Sequence, residues 1–469
     1  MRRSLGLVAS GILIGGLVYG WAVWRPVEQD HPDTVPKADL SAALEPNRTL
    51  PLSAEHTDVV VVAVCTLRRD RMGMYGHDQP TTPFLDRLAD KGVVFEEHFT
   101  QAPWTRPAMG SIFTGKWPRE LKLDDPNQGR GFKAVIRDDH TLLSEHLAAE
   151  GYTAVGAVAN PNLKRQFGFA QGFDDYSEPA GTYKERPHIP GSKEVVDVLL
   201  EMAAKVPADQ RLYARVNVLD THLPHKFSLR YPKLFEAPTE RLRHYDAALR
   251  TIDSQLARMF TELQAQRPNL LFMLVADHGE GLYLPRHHGP EHGNHVYRTT
   301  TQTPWLVHHP ALDGGGRRIS GRSMNVDLVP TVLDLLGIEV PDEVDGASQS
   351  AAIRGDVDRA SHAFAYSETF FRKRHLSTIY DGEHQLIRTY AVPTEEGPFV
   401  DALYTDADWQ ADTDLFDARP EAAVRLRDAL TEWEASVMAQ GQDAPDPGEE
   451  AEVDDTTDQM LRDLGYVDE

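Results

Sequence analysis

Cysteine is almost absent from this chain. Cys65 stands alone among 469 residues, which excludes an intramolecular disulfide and leaves the fold to be held by its core. Positive charge is scarce as well: 48 Lys and Arg face 72 Asp and Glu, for a net charge of -24. Such a surface repels phosphate backbones and anionic headgroups, so neither nucleic acid nor an anionic lipid surface is expected as a partner. Between Asp443 and Asp458 Lys and Arg vanish altogether, and 441–469 reads as a solvated acidic tail with a short terminal helix. There is no internal repeat.

One long apolar run is present. Met1-Arg2-Arg3 precedes the uncharged stretch 5–24, which ends in Tyr19, Trp21 and Trp24. About twenty such residues span a bilayer, and aromatic side chains favour its interface. Residues 1–24 therefore read as a signal-anchor, with a cleaved signal peptide as the alternative. The basic start keeps the N-terminus in the cytoplasm and puts everything after Arg25 outside, as a single-pass protein of the cell membrane. Residues 25–57 form a tether rich in proline, with Pro26, Pro32, Pro36, Pro46 and Pro51.

With 41% hydrophobic residues, the remainder can bury a large core. The valine-rich run Asp58–Val64 has the continuous apolar pattern of a parallel strand buried on both faces. Thr82-Pro83 reads as a helix start, with Phe84, Leu85 and Leu88 on the buried face and Gly92 at the end. Strands are expected at 212–219 and 270–276, and helices at 141–150 and 245–263. This alternation predicts a doubly wound, mostly parallel α/β sheet with helices on both faces, spanning 58–355. A smaller α+β subdomain, 356–440, follows. It has strands near 375–380 and 385–389 and a helix from Pro420 to about Met438, capped by Asp417.

The chemistry-bearing residues gather at one place in this pattern. The run Leu270-Leu271-Phe272-Met273-Leu274 closes with Val275-Ala276-Asp277-His278-Gly279-Glu280. An acid and an imidazole then stand where a buried strand emerges, and open α/β sheets bind ligands at that edge. Read alone, Asp-His-Gly also fits an ordinary turn in which Gly supplies a permissive φ. A histidine-rich loop follows, with His287, His288, His292 and His295, more imidazoles than a solvated loop needs.

The chain resembles the sulfatase family of the alkaline-phosphatase superfamily. The similarity runs through Thr66-Leu67-Arg68-Arg69-Asp70, Thr81-Thr82-Pro83, Gln101-Ala102-Pro103-Trp104-Thr105 with Pro107 and Thr114-Gly115, and Phe169-Ala170-Gln171-Gly172-Phe173-Asp174. It continues in Asp220-Thr221-His222-Leu223-Pro224, Ala276-Asp277-His278-Gly279-Glu280, His292-Gly293-Asn294 and Val326-Asp327-Leu328-Val329-Pro330-Thr331. The stretch Leu461-Arg462-Asp463-Leu464-Gly465-Tyr466-Val467 is similar to bacterial members.

The resemblance implies the alkaline-phosphatase-like fold and one divalent metal ion: calcium, magnesium, manganese or zinc. It puts the nucleophile at Thr105, where a true sulfatase carries Cys or Ser that becomes formylglycine. A helix N-terminus beside a metal suits that role; a simple cap with Pro107 in the first turn is the other reading. It gives His222 and His292 the tasks of proton donor and partner to developing charge, and Asp277 and His278 the metal, with Thr105 beside it. Asn160 and Asn162 fall where arylsulfatases carry a Lys and a His for the sulfate group, and Met109 replaces an Arg. Cys65 stands where relatives have a metal-binding Asp. Either its thiolate joins Asp277, His278 and Thr105 around a zinc ion, or Cys65 is a small buried residue and the metal site has decayed.

Three functions fit. One is a membrane-anchored, extracytoplasmic, metal-dependent hydrolase of sulfate or phosphate esters, acting on a small-molecule, glycan or lipid ester. The second is a phospho-headgroup transferase of the same fold. The third is a silent relative that binds an anionic glycan or ester. Nothing in the sequence sets an oligomeric state.

Overall fold

In the computed structural model the described residues are 51–124, 133–179, 182–183, 186–223, 235–282, 291–312, 315–391, 398–405, 413–444 and 450–467. The expected signal-anchor and most of the tether lie outside them, as do His287 and His288. Among the described residues no helix is long and apolar enough to cross a membrane.

The core is a mixed, mostly parallel sheet of nine strands among the described residues, with helices on both sides. Strand β1 is Asp58–Val64 and β2 is Val93–Phe99. Next come β3, Thr153–Val158, and β4, Asp175–Ser177. They are followed by β5, Leu212–Val218, and β6, Leu270–Ala276. Trp305–His308 is β7 and Arg317–Met324 is β8. The order across the sheet is β8-β2-β7-β6-β1-β5-β3-β4, with the short strand Gln302–Thr303 added beside β2. β1 runs parallel to both β5 and β6, whereas β7 is antiparallel to its two neighbours.

The valine strand is buried on both faces as its composition requires. Val59, Val61 and Ala63 enter one core layer and Val60, Val62 and Val64 the other, because successive strand side chains point to opposite faces. Its register sets the position of the site. Val64 lies opposite both Val218 and Ala276, so the three central strands end level and their next polar residues share one edge.

Two helix starts differ from expectation. The helix Pro83–Ala89 (α1) begins at Pro83, but Thr82 makes no capping bond. Its hydroxyl is engaged with Asp86 Oδ1 at 2.9 Å, while the Phe84 and Leu85 N–H groups donate to Asp253. A carboxylate from the long helix Glu240–Gln266 thus satisfies donors that a local cap would otherwise take. α1 also closes at Ala89, ahead of Gly92.

The C-terminal subdomain is a four-stranded antiparallel sheet, Ala365–Thr369, Leu376–Tyr380, His384–Tyr390 and Phe399–Thr405. Ile379, Leu386 and Leu403 pack on Leu426 and Leu430 of the helix Pro420–Asp443. Arg419, not Asp417, occupies the N-cap position, without a capping bond, and proline at the first turn needs no N–H partner. The sheet is fixed to the core by Glu368 N–H on Gln101 O at 3.0 Å and by the buried pair Arg119–Glu368.

The acidic tail does not remain solvated. Residues 450–467 lie on the core, with Ala451 N–H on Lys133 O and a helix at Asp455–Asp463. Met460, Leu461 and Tyr466 are buried. Apolar residues spaced between the acids supply the face that a reading of charge alone overlooks.

Candidate active site

Thr105 is the first residue of the helix Thr105–Thr114 (α2), and it does not cap that helix. The N-cap is Trp104, which makes no capping bond. The wholly buried Thr105 hydroxyl instead faces four side chains. Tyr466 Oη lies 2.6 Å from Oγ1, His278 Nε2 3.3 Å, Asn160 Nδ2 3.4 Å and Cys65 Sγ 3.6 Å.

Cys65 leaves β1 and Asp277 leaves β6, the two strands whose level ends bring them together. Between them Thr66 adopts φ 57°, a left-handed conformation that is costly for a β-branched residue. That conformation aims its N–H at Asp277 Oδ1, 3.0 Å away, and Tyr245 Oη holds its carbonyl at 2.7 Å. Asp277 Oδ1 also accepts the His278 N–H at 2.7 Å. Asp277 Oδ2 is buried and accepts no hydrogen bond among the described residues.

Gly279 is needed for closeness rather than for a turn. Its φ is not left-handed, and a Cβ there would lie 2.0 Å from Thr299 O. Its N–H donates to Thr300 O at 2.9 Å, so the Asp-His-Gly stretch is clamped against a neighbouring backbone segment. The turn reading of this motif therefore fails on its own terms.

The three histidines form one cluster. His222 follows β5 and its ring meets His292 edge-on, with centroids 4.9 Å apart. His292 and His278 are 4.3 Å apart. Contacts of His222 Nδ1 with Leu223 O and of His278 Nδ1 with Gly279 O, at 2.6 and 2.8 Å, assign the proton of each neutral ring to Nδ1. Each Nε2 then carries a lone pair. His292 Nδ1 stands 3.4 Å from the Glu280 carboxylate. Burial drives His222 and His278 down to about 4 and His292 to about 3, and it pushes Glu280 up to about 7. Burial also raises the Cys65 thiol, and the Asp277 carboxylate adds to that effect. His295 is not part of this cluster; its ring stacks on Tyr297 at 5.4 Å.

These residues fit a metal ion. Ligand atoms of Cys65, Asp277 and His278 lie within 4.8 Å of one another, and Asp277 Oδ2, 3.4 Å from His278 Nε2, is a buried acceptor without a hydrogen bond among the described residues. A thiol, an imidazole lone pair and a carboxylate are the donor types that zinc takes.

Sequence reasoning did not assign roles to four residues of this neighbourhood. Asn160 contacts both Cys65 and Thr105, each at 3.4 Å. Arg106 donates to Asn162 Oδ1 at 2.9 Å, and Asn162 Nδ2 donates to Asn160 Oδ1 at 3.2 Å. A buried guanidinium, brought down to about 9 by burial, is thereby linked to Thr105 through two amides. Met109, at the place of a lost Arg, is fully buried in the core. The fourth residue is Tyr466, whose only signal in the sequence was its place in the Leu461–Val467 stretch that resembles bacterial members of the family.

The sulfatase family model matches residues 57–338, and a model of the N-sulphoglucosamine sulphohydrolase C-terminal region matches 288–422. A Delta 4,5-hexuronate-2-O-sulfatase of Bacteroides thetaiotaomicron is 22% identical over 381 residues, covering 69% of this chain and 77% of that protein. A protein solved in complex with its substrate D-glucosamine-2-N,6-O-disulfate matches with a TM-score of 0.68 at 15% identity, over 84% of this chain and 99% of that one. The phosphonate monoester hydrolase of Agrobacterium radiobacter matches with a TM-score of 0.63 at 18% identity, over 82% and 96%. The two structures show a shared fold, and the family model covers more than half of the sequence: the chain belongs to the sulfatase family.

Proposed function

We propose that this protein is a metal-dependent hydrolase of sulfate esters, with phosphate esters as the other class within reach of its chemistry, and that Thr105 is its nucleophile. The observation that carries this reading is the buried Thr105 hydroxyl, turned away from its own helix and toward Cys65, His278 and Asn160. Buried threonine hydroxyls with structural roles here donate to backbone carbonyls, as Thr114 does to Gly110 O and Thr221 to Cys65 O, whereas the Thr105 hydroxyl meets only side chains.

In this reading the Thr105 proton passes to water as Oγ1 bonds to the sulfur or phosphorus of the ester. The bond to the alcohol oxygen breaks, and that oxygen takes a proton from His222 or His292. Water then cleaves the threonyl ester, giving free acid and restoring Thr105. Burial disfavours the charged form of both imidazoles. An anionic ester reverses that preference, so substrate binding itself supplies the protonated donor. Glu280 orients His292. Arg106, reached through Asn162 and Asn160, supplies a buried positive charge two amides away from Thr105.

Cys65, Asp277 and His278, with Thr105 beside them, would hold the metal ion, and zinc is the ion their donors favour. Bound there, it would supply positive charge next to the nucleophile and the ester oxygens. The sulfated sugars named for relatives support a glycan ester as substrate. The apolar run 5–24 supports attachment to the cell membrane with the catalytic domain outside the cytoplasm.

The experiment is turnover of an aryl sulfate, a phosphate monoester and a phosphonate monoester by the purified chain and by Thr105→Ala, with metal content measured in parallel. Turnover that disappears in the variant supports the reading; equal turnover in both sinks it.

A further inference from the structure

We infer that Tyr466 is a residue of the reaction centre, whose phenol hydrogen-bonds Thr105 Oγ1 and positions that oxygen for attack. The inference rests on Thr105 being the nucleophile. Tyr466 Oη, 2.6 Å from Oγ1, is the nearest of the four groups around the hydroxyl. Its ring is buried beside the two other functional imidazoles, with centroids 5.6 Å from His222 and 5.7 Å from His292.

The chemistry follows from the capacity of a hydroxyl oxygen, which has one proton to give and two lone pairs to share. The Asn160 amide can only donate to Oγ1. When the Thr105 proton leaves, the phenol donates as well, and the oxyanion is held by two fixed N–H and O–H groups. Donors aimed in advance at developing charge are the arrangement that accelerates such steps. They also restrict rotation about the Thr105 side chain, which keeps the attacking lone pair directed.

The C-terminal segment is built to deliver this group. Asp454 caps the helix Asp455–Asp463 through Thr457 N–H, and Lys164 Nζ donates to Thr457 Oγ1 at 2.8 Å. Gly465, at φ 79°, turns the chain after the helix in a conformation that other residues rarely adopt. Arg372 donates to its carbonyl at 2.7 Å. Leu461 and Tyr466 then enter the main core cluster together. Lys164 thus serves as an anchor for the segment.

The test compares the full chain with Thr105→Ala and Tyr466→Phe on an aryl sulfate and a phosphonate monoester, following kcat and KM separately, with melting curves on each variant. Phenylalanine keeps the ring against His222 and His292 and removes only the hydroxyl. The expected result is a fall in kcat of about a hundredfold, with KM nearly unchanged and the melting curve retained. Full kcat in Tyr466→Phe, with Thr105→Ala inactive, overturns this inference and leaves the nucleophile standing. A rise in turnover overturns it too, by making the phenol a plug. Activity in Thr105→Ala, or no turnover of any ester by the intact chain, removes both readings together.

Discussion

Cys65 Sγ lies 3.6 Å from Thr105 Oγ1, a thiol beside a hydroxyl at the level ends of the central strands. If that thiol is a zinc ligand, the purified chain carries about one zinc ion and Cys65→Ala loses it. Cys65→Asp lowers zinc content and shifts binding toward magnesium and calcium. A decayed site behaves in the opposite way, gaining metal and activity with the restored carboxylate. Elemental mass spectrometry on the three proteins decides. Because burial holds the proton on this thiol, zinc must displace it, and zinc affinity should rise with pH.

Thr105→Ala should abolish turnover, a loss on the order of a thousandfold or more, without disturbing the fold. The removed hydroxyl faces the cluster, and α2 is not capped by it. Circular dichroism and ester turnover on the same sample check both halves. Thr105→Ser should retain measurable activity.

Stability should fall as the pH drops from about 6.5 toward 4. Burial lowers His98 and His308 to about 4 and His309 to about 3. Below the free imidazole value the unfolded chain binds protons that the folded chain refuses, so acid favours unfolding. Each such group removes roughly 1.4 kcal/mol per pH unit in that window. Denaturant midpoints measured at pH 7, 6 and 5 should decline in that order.

Glu368→Gln should destabilise the protein by about 3 kcal/mol, because it leaves Arg119 buried without its charge partner. Burial alone raises the Glu368 carboxyl, but Arg119 and His375 outweigh it and bring the group down to about 2. Its contribution is therefore present above the free carboxylate range and lost as pH falls toward 2. The double variant with Arg119→Met should recover part of the loss, as read from the same denaturant midpoints.

The parts of the fold legible in the sequence were those written as continuous pattern. The valines of β1 and the apolar run Leu270–Ala276 gave the central strands, and their parallel pairing placed Cys65, Asp277 and His278 at one edge. Thr105 and His222 were reached by resemblance, since the partners each meets come from distant parts of the chain. Caps were misread at Thr82 and Asp417, because tertiary partners such as Asp253 can take over a local task from far along the chain. Charge density concealed the role of 450–467. Its few apolar residues are too widely spaced to stand out against the acids, yet they bury well once the core offers a surface.

Thr105 and Tyr466 are separated by 361 positions. Closing so large a loop costs entropy that only a nearly finished fold can offset. We therefore predict an order of assembly in which the sheet consolidates first and the reaction centre is completed by the segment carrying Tyr466. In refolding, signals from the sheet should recover before ester turnover does, and competence for chemistry becomes a readout of the last event in folding.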